Sequence, residues 1–408
     1  MGTPILSGSH RTIVQRRGGI MAINRRWQAS VGLAGVVLWG LAAVGQAGWA
    51  YRSSADGAME PPNGGNQQTA CLVLDIDQNG TDDFVIAERT QGPSVVWYAR
   101  QGDGTWKRRV IETTPLHIEA GGDVFDIDGD GDLDIVFCGD WKDDGVWWWE
   151  NPHPNHDGPE GWVRRTIKSG DGARYQHDCR FGDFDGDGRA ELAWWSQTAK
   201  KLFLADIPTD PRRAKAWDCR EIWSYTDGPG HEGMDVADVD GDGTVDIVGA
   251  GYWFKYAVGR FQAHLIAPRP STRCAVGQII PGGRPEVVLS PGDSDGPVEW
   301  YEWKDGAWAG HTLLRRAIHA HSLALRDING DGRLDVFVAE MGSPGAGAKA
   351  RTMIFRGLDR GRFAREIVAV GKANHESRLG DLDGDGDVDI IGKPYSYGAP
   401  GLHIWLQD

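Results

Sequence analysis

The chain has 408 residues and a formal charge of −15, from 58 acidic and 43 basic side chains. Residues 1–50 hold five Arg and no acid, so the remainder carries −20, which excludes a nucleic-acid partner needing a basic footprint. With 58 Gly and 19 Trp, the composition predicts short strands and tight turns rather than long helices.

Residues 1–50 read as an export signal. Arg25 and Arg26 precede an apolar run from Val31 to Val44, and small residues follow, with cleavage expected near Ala47 or Ala50. The run is short for a bilayer span, so the expectation is an exported protein, periplasmic or extracellular, with no stable membrane insertion after removal of the signal. A retained anchor is the alternative. Residues 51–66 are expected to be a linker or a closing strand. The five Cys (Cys71, Cys138, Cys179, Cys219 and Cys274) show no metal-ligand spacing and no disulfide framework.

From residue 67 onward one acidic pattern recurs. Its members are Asp75, Asp77, Asn79 and Asp83, then Asp126, Asp128, Asp130 and Asp134, then Asp183, Asp185, Asp187 and Glu191. Next come Asp238, Asp240, Asp242 and Asp246, then Asp327, Asn329, Asp331 and Asp335, and last Asp381, Asp383, Asp385 and Asp389. The fourth and fifth sets are separated by 89 residues, too many for one unit. Inside that gap, Cys274 to Leu289 keeps the flanking pattern without the acids and counts as a further repeat, making seven. After each loop come a β-rich run, an aromatic strand such as Val146 to Trp149, and a strand that opens on an aromatic residue such as Trp162. With the strand before the loop, each unit has four strands. Four-stranded units of about 50 residues are propeller blades. The fold class is therefore all-β, a seven-bladed β-propeller over residues 67–408, with acidic loops between the first and second strands of six blades. The last unit stops after its third strand, so closure needs a strand from the 51–66 segment.

Oxygens at positions 1, 3, 5 and 9 of a tight loop suit a hard cation, and the Gly at position 6 permits the turn. A strand follows where an EF-hand would continue as a helix. These spacings predict up to six calcium ions as structural staples, held by the 24 residues named above. The loops resemble those of the FG-GAP/VCBS-repeat propellers, the family that includes the integrin α-subunit head. That resemblance implies a fold and does not by itself imply an activity.

A second set precedes the loops. His117, His177, His231, His321 and His375 stand six to nine residues before the first loop acid, most with Glu119, Asp178, Glu232 or Glu376 nearby. First strands border the axial channel of a propeller, so their near ends should gather these imidazoles on the face opposite the loops. Deeper in the channel stand Arg180 and Arg378. The loops returning to the histidine face hold Trp141, Lys142, Trp195, Tyr252, Glu340, Lys393 and Tyr395, a mixture suited to binding a sugar. The expected chemistry is metal-assisted elimination or dehydration of a carbohydrate or other small-molecule or polymer substrate. In that expectation His177, His231 and His375, with His117 or His321, bind zinc or manganese, and Arg180, Arg378 and Tyr395 assist. The blades resemble the propeller of aldos-2-ulose dehydratases and, in outline, the propeller polysaccharide lyases. The alternative is a non-catalytic propeller that binds glycan or protein. Nothing matches a serine-hydrolase nucleophile motif.

Overall fold

Alternating apolar residues in short runs, punctuated by Gly-containing acidic turns, produce, among the described residues, 28 strands arranged as seven four-stranded antiparallel sheets. The computed structural model describes residues 48–156 and 161–408, so the Arg25–Arg26 pair and the Val31 to Val44 run lie outside the described residues. Among the described residues no helix is long and apolar enough to cross a membrane.

Each sheet is one blade, and in blades 1 to 6 the strands run in chain order from the inside outward. Blade 1 begins with Gln68–Leu74, blade 2 with Asp123–Phe125, blade 3 with Gln176–Gly182 and blade 4 with Asp235–Ala237. Blades 5, 6 and 7 begin with Arg273–Gly277, Ser322–Arg326 and Arg378–Gly380. These seven first strands touch their neighbours in sequence, and blade 7 returns to blade 1, so the ring is closed. The closing strand is Trp49–Ser53. It pairs antiparallel with His403–Gln407, from Trp49 opposite Gln407 to Ser53 opposite His403, and forms the outer edge of blade 7. It begins earlier than the 51–66 segment expected from sequence. Cleavage after Ala47 would leave it whole, whereas cleavage after Ala50 would remove its first two residues.

The core is divided into seven apolar clusters, one at each blade interface. Trp147 and Trp149 face blade 1 and Trp148 faces blade 3, as period-two alternation requires. Each fully buried side chain of this kind contributes about 1.5–3 kcal/mol or more. All five Cys are free thiols.

Candidate functional site

Six blades place their acidic loop on one rim. The first carboxylate wraps the turn: Asp75 accepts the amides of Asn79 and Gly80, and Asp381 those of Gly384 and Gly386. The position-6 glycines have φ of 83–98°, a left-handed conformation that side chains resist. Carboxylates converge as Asp75–Asp77–Asp83, Asp126–Asp128–Asp130, Asp183–Asp185–Asp187–Glu191 and Asp238–Asp240–Asp246. Buried oxygens of Asp77, Asp183, Asp240 and Asp383 have no hydrogen-bond partner. Burial, followed by repulsion from Asp77, pushes Asp83 up to about 8, and burial pushes Asp246 and Asp389 up to about 7. Crowded, desolvated carboxylates of this kind fit a hard divalent cation.

The ninth position has a second duty that its spacing did not reveal. Its acid accepts the amide of the second loop residue in every blade, as Asp83 does from Ile76 and Asp389 from Leu382. In blade 5, which has no acidic loop, Glu286 does the same for Ile279. Asp134, Asp335 and Asp389 use their other oxygen on Asn151, Gly357 and Gln407 amides, so in blades 2, 6 and 7 this acid is a clamp with both oxygens engaged. Several loops also contact a cation of the chain itself, most closely in blades 2 and 4. Arg212 lies 2.8 Å from Asp128 and 2.6 Å from Asp130, and Lys255 pairs with Asp240 at 2.6 Å and with Asp242.

On the opposite face three side chains meet at the axis. The Nε2 atoms of His177 and His321 each lie 3.5 Å from Oε2 of Glu232, and the three residues form a metal-sized set. All three side chains are buried. The far nitrogen of each imidazole faces a second carboxylate: His177 Nδ1 is 2.6 Å from Asp178, and His321 Nδ1 is 3.3 Å from Glu376. Buried Arg273 joins those two acids, contacting both oxygens of Asp178 and lying 2.7 Å from Glu376. Arg378 completes the layer with a 2.5 Å contact to Glu376. Burial opposes protonation of His321, yet Asp293, Glu232 and Glu376 together carry it up to about 10. Burial likewise opposes the charge on His177, and Asp178 and Glu232 outweigh it. Glu232 stays below its usual range because His321, His177 and Arg273 outweigh its burial. The raised imidazoles and the lowered carboxylate thus stabilise one another's charges.

A strict register explains the set. Glu286 fixes Gln278 as the first loop position of blade 5. Six residues before that position, blades 1 to 7 then carry Thr69, Ala120, His177, Glu232, Thr272, His321 and His375. Five residues before it stand Asp178, Arg273 and Glu376, the layer that orients the imidazoles. Asp178 and Glu376 adopt left-handed φ of 46° and 53°, which turns their carboxylates back onto the rings. Gly233 and Gly121 hold the same position in blades 4 and 2. His231 is one residue out of register and leaves the axis. It stacks on Tyr225 at 3.6 Å and lies edge-on to Trp195, and burial lowers it to about 4. Of the expected set of His177, His231 and His375 with His117 or His321, the side chains that converge with Glu232 within metal-ligand reach are His177 and His321. His375 stacks on His321 at 4.3 Å and meets Lys393 through Nδ1.

The remaining sequence-predicted residues divide between rim and interior. His117 is half-buried, 3.5 Å from Asp140. Trp141 is 52% exposed, with Lys142 over its ring. Tyr395 sits beside His375 and bonds Gln67 and Arg89. Tyr252 packs on Trp223. Arg180 lies deeper in the channel, donating to the Gly122 and Cys179 carbonyls. Trp195, Glu340 and Lys393 are buried and bonded within the protein: Trp195 donates to Gly233, Glu340 is clamped by Arg351, and Lys393 binds the Gln68 and Thr69 carbonyls. Sequence reasoning missed Arg273 and Asp293. The Asp293 side chain is 56% exposed, with Oδ1 3.8 Å from His321 Nε2. The preceding Gly292 has no room for a side chain, because a Cβ there would lie 2.1 Å from Glu232 Oε1.

A family model described as FG-GAP-like repeat matches residues 75–137, 126–194, 283–338 and 327–392, more than half of the chain. The chain belongs to the FG-GAP-like repeat family. Its matched repeats begin at the acidic loops of blades 1, 2 and 6 and at the acid-free turn of blade 5. No curated protein matches this FG-GAP-like chain. Among solved structures it is similar to BBS1N in complex with ARL6DN, in a mercury-soaked crystal, at 10% identity and TM-score 0.54 over 89% of this chain and 97% of that one. The lead-soaked form gives 10% identity and TM-score 0.53 over 86% and 95%. Aleuria aurantia lectin, a six-bladed propeller from a fungus with a novel fucose recognition mode, is matched at 11% identity and TM-score 0.42 over 75% of this chain and 96% of that one. At such identities the BBS1N likeness speaks for the fold alone.

Proposed function

We propose that this exported propeller is stapled by calcium in its acidic loops and holds one divalent transition metal between His177, Glu232 and His321. There it acts on carbohydrate by elimination or dehydration. The observation that carries the reading is the pair of imidazoles aimed at one carboxylate, each backed by an acid and both acids joined by Arg273. Two His and one carboxylate with carboxylate-backed rings suit zinc, manganese or ferrous iron. When bound, such a metal polarises a carbonyl and steadies the enolate formed beside it. The chain's own groups do the rest. Asp293, exposed beside His321, accepts the proton from the carbon next to that carbonyl and returns it to the oxygen on the following carbon, so that C–H and C–O bonds break, a C=C bond forms and water or a sugar hydroxyl departs. Thr69 and Ala120 hold the ligand register in blades 1 and 2 without a metal-binding side chain, and exposed Trp141 with Lys142 over its ring stands on the same face to hold hydroxyls.

Metal analysis after a calcium-sparing chelator tests the centre. About one transition metal per chain is expected in the untreated protein and none in the His177→Ala/His321→Ala variant. A screen of oxidised sugars and uronate polymers for an ultraviolet-absorbing product tests the chemistry, with Asp293→Asn expected to keep the metal and lose the product. A non-catalytic glycan- or protein-binding role is the second reading, favoured by how little of His177, Glu232 and His321 reaches solvent. Metal bound with no product from any of these substrates would select it.

A further inference from the structure

The outer rim carries two equivalent grooves, one on each side of blade 5. In both, a Trp on the third strand of a blade stacks on a His of the fourth strand: Trp253 on His264 at 4.4 Å, and Trp300 on His311 at 4.2 Å. Between blades 4 and 5 the groove, about 480 Å³, carries a guanidinium of the chain over its rings. Arg284, two residues before the ninth-position acid, reaches back over the rings of Trp253 and Trp303. The counterpart in blade 6 is Arg333, and it is drawn away to Asp359 at 3.1 Å. The blade 5–6 groove, about 610 Å³, has no such guanidinium from the turn over its rings and is lined by Trp300, His311, Phe355 and Phe363.

Two guanidiniums line this opening, on Arg362 and Arg365. Both are exposed, and neither meets a carboxylate among the described residues. Arg362 donates only to the Asp359 carbonyl. In a chain of net charge −15, two acid-free arginines beside an aromatic floor form a local positive site. An aromatic floor takes the apolar face of a pyranose, and a guanidinium fork takes a carboxylate in paired hydrogen bonds.

We infer that the groove between blades 5 and 6 is a binding site for acidic saccharide, with the sugar ring over His311 and Phe363, backed by buried Trp300, and its carboxylate on Arg362 and Arg365. The site is on the outer rim, away from the axial cluster, and holds substrate or anchor glycan independently of any metal chemistry. The test is titration calorimetry of the full chain with tri-galacturonate, and with maltotriose as a neutral control. Tri-galacturonate should bind, weaken with added salt, and weaken at least tenfold in Arg362→Ser/Arg365→Ser, whose changes lie on an exposed outer strand. Maltotriose should bind at least tenfold more weakly than tri-galacturonate, and His177→Ala/His321→Ala should bind tri-galacturonate as the wild type does. Absence of tri-galacturonate binding, unchanged affinity in the double-Arg variant, or equal binding of maltotriose overturns the inference. Loss of binding in the His variant alone moves the ligand to the axis, which overturns the groove and leaves the axial proposal standing.

Discussion

Glu232 is the residue on which the axial centre turns. It alone among the three axial side chains lacks an orienting acid behind it, and its Oε1 is buried without a hydrogen-bond partner while Oε2 faces both imidazoles. Glu232→Gln keeps the shape and removes the charge. It is expected to lower transition-metal affinity by more than about a hundredfold, since even outer-layer partners of a metal site are worth about 10–100-fold. His231→Phe, one residue earlier, should leave metal stoichiometry unchanged. Metal content of the two purified variants checks the pair. The contrast shows what was legible in the sequence. The histidines and their companion acids were visible as a group standing six to nine residues before the loops. That window was too wide, because a strand alternates faces at every residue and only one offset looks into the axis. His177, His321 and His375 share that offset with Glu232, whereas His117 and His231 do not. Arg273 and Asp293 were hidden for a different reason: they belong to the blade whose acidic loop is missing, so no loop acid marked their place.

The acidic loop is the element most fully legible, since six repeats of one spacing place six strand-to-strand turns without reference to coordinates. What spacing could not separate is ligation from clamping. The ninth-position acid holds the loop closed through an amide of the second residue, and Glu286 retains that role where the other acids are gone. Glu286→Ala is expected to cost about 1–3 kcal/mol, the penalty for leaving buried amides unpaired, and to leave the calcium response unaltered. Asp77→Ala should do the reverse, costing little in excess chelator and removing part of the stabilisation that added calcium gives. Thermal unfolding of both variants with calcium and with chelator separates the two roles. If both variants lost the same stability in both conditions, the division of labour within the loop would be wrong. Lys255 and Arg212 add a further layer, because each already neutralises two acids of one loop and must be displaced or shared when a metal enters.

At the level of the whole ring, the blades are local but the closure is not. Trp49–Ser53 and His403–Gln407 lie some 350 residues apart in the chain, and a sequence segment with few apolar residues gave weak notice of the pairing. A second fastening lies at the axis, where Lys393 of blade 7 is fully buried and donates to the Gln68 and Thr69 carbonyls of blade 1 at 2.8 and 3.0 Å. Gln68 returns the contact through its amide to the Pro394 carbonyl. Lysine reaches across the seam with a flexible stem, but burial lowers its ammonium from the usual range to about 7, against smaller opposing effects of Cys71 and Glu376. The consequence has a definite sign. Between pH 7 and about 10.5 the unfolded chain holds this proton and the folded chain has lost it, so stability from this group rises with pH across that window. Below pH 7 both states hold the proton and the desolvation cost is present in full. Lys393→Met removes the titration together with the hydrogen bonds. The stability difference between wild type and Lys393→Met, read from denaturant unfolding at pH 7, 8 and 9, is therefore expected to widen in favour of the wild type at each step. A difference that stays flat or narrows would mean that the ammonium keeps its proton inside the ring, and that blades 7 and 1 are joined across a charged rather than a neutral lysine.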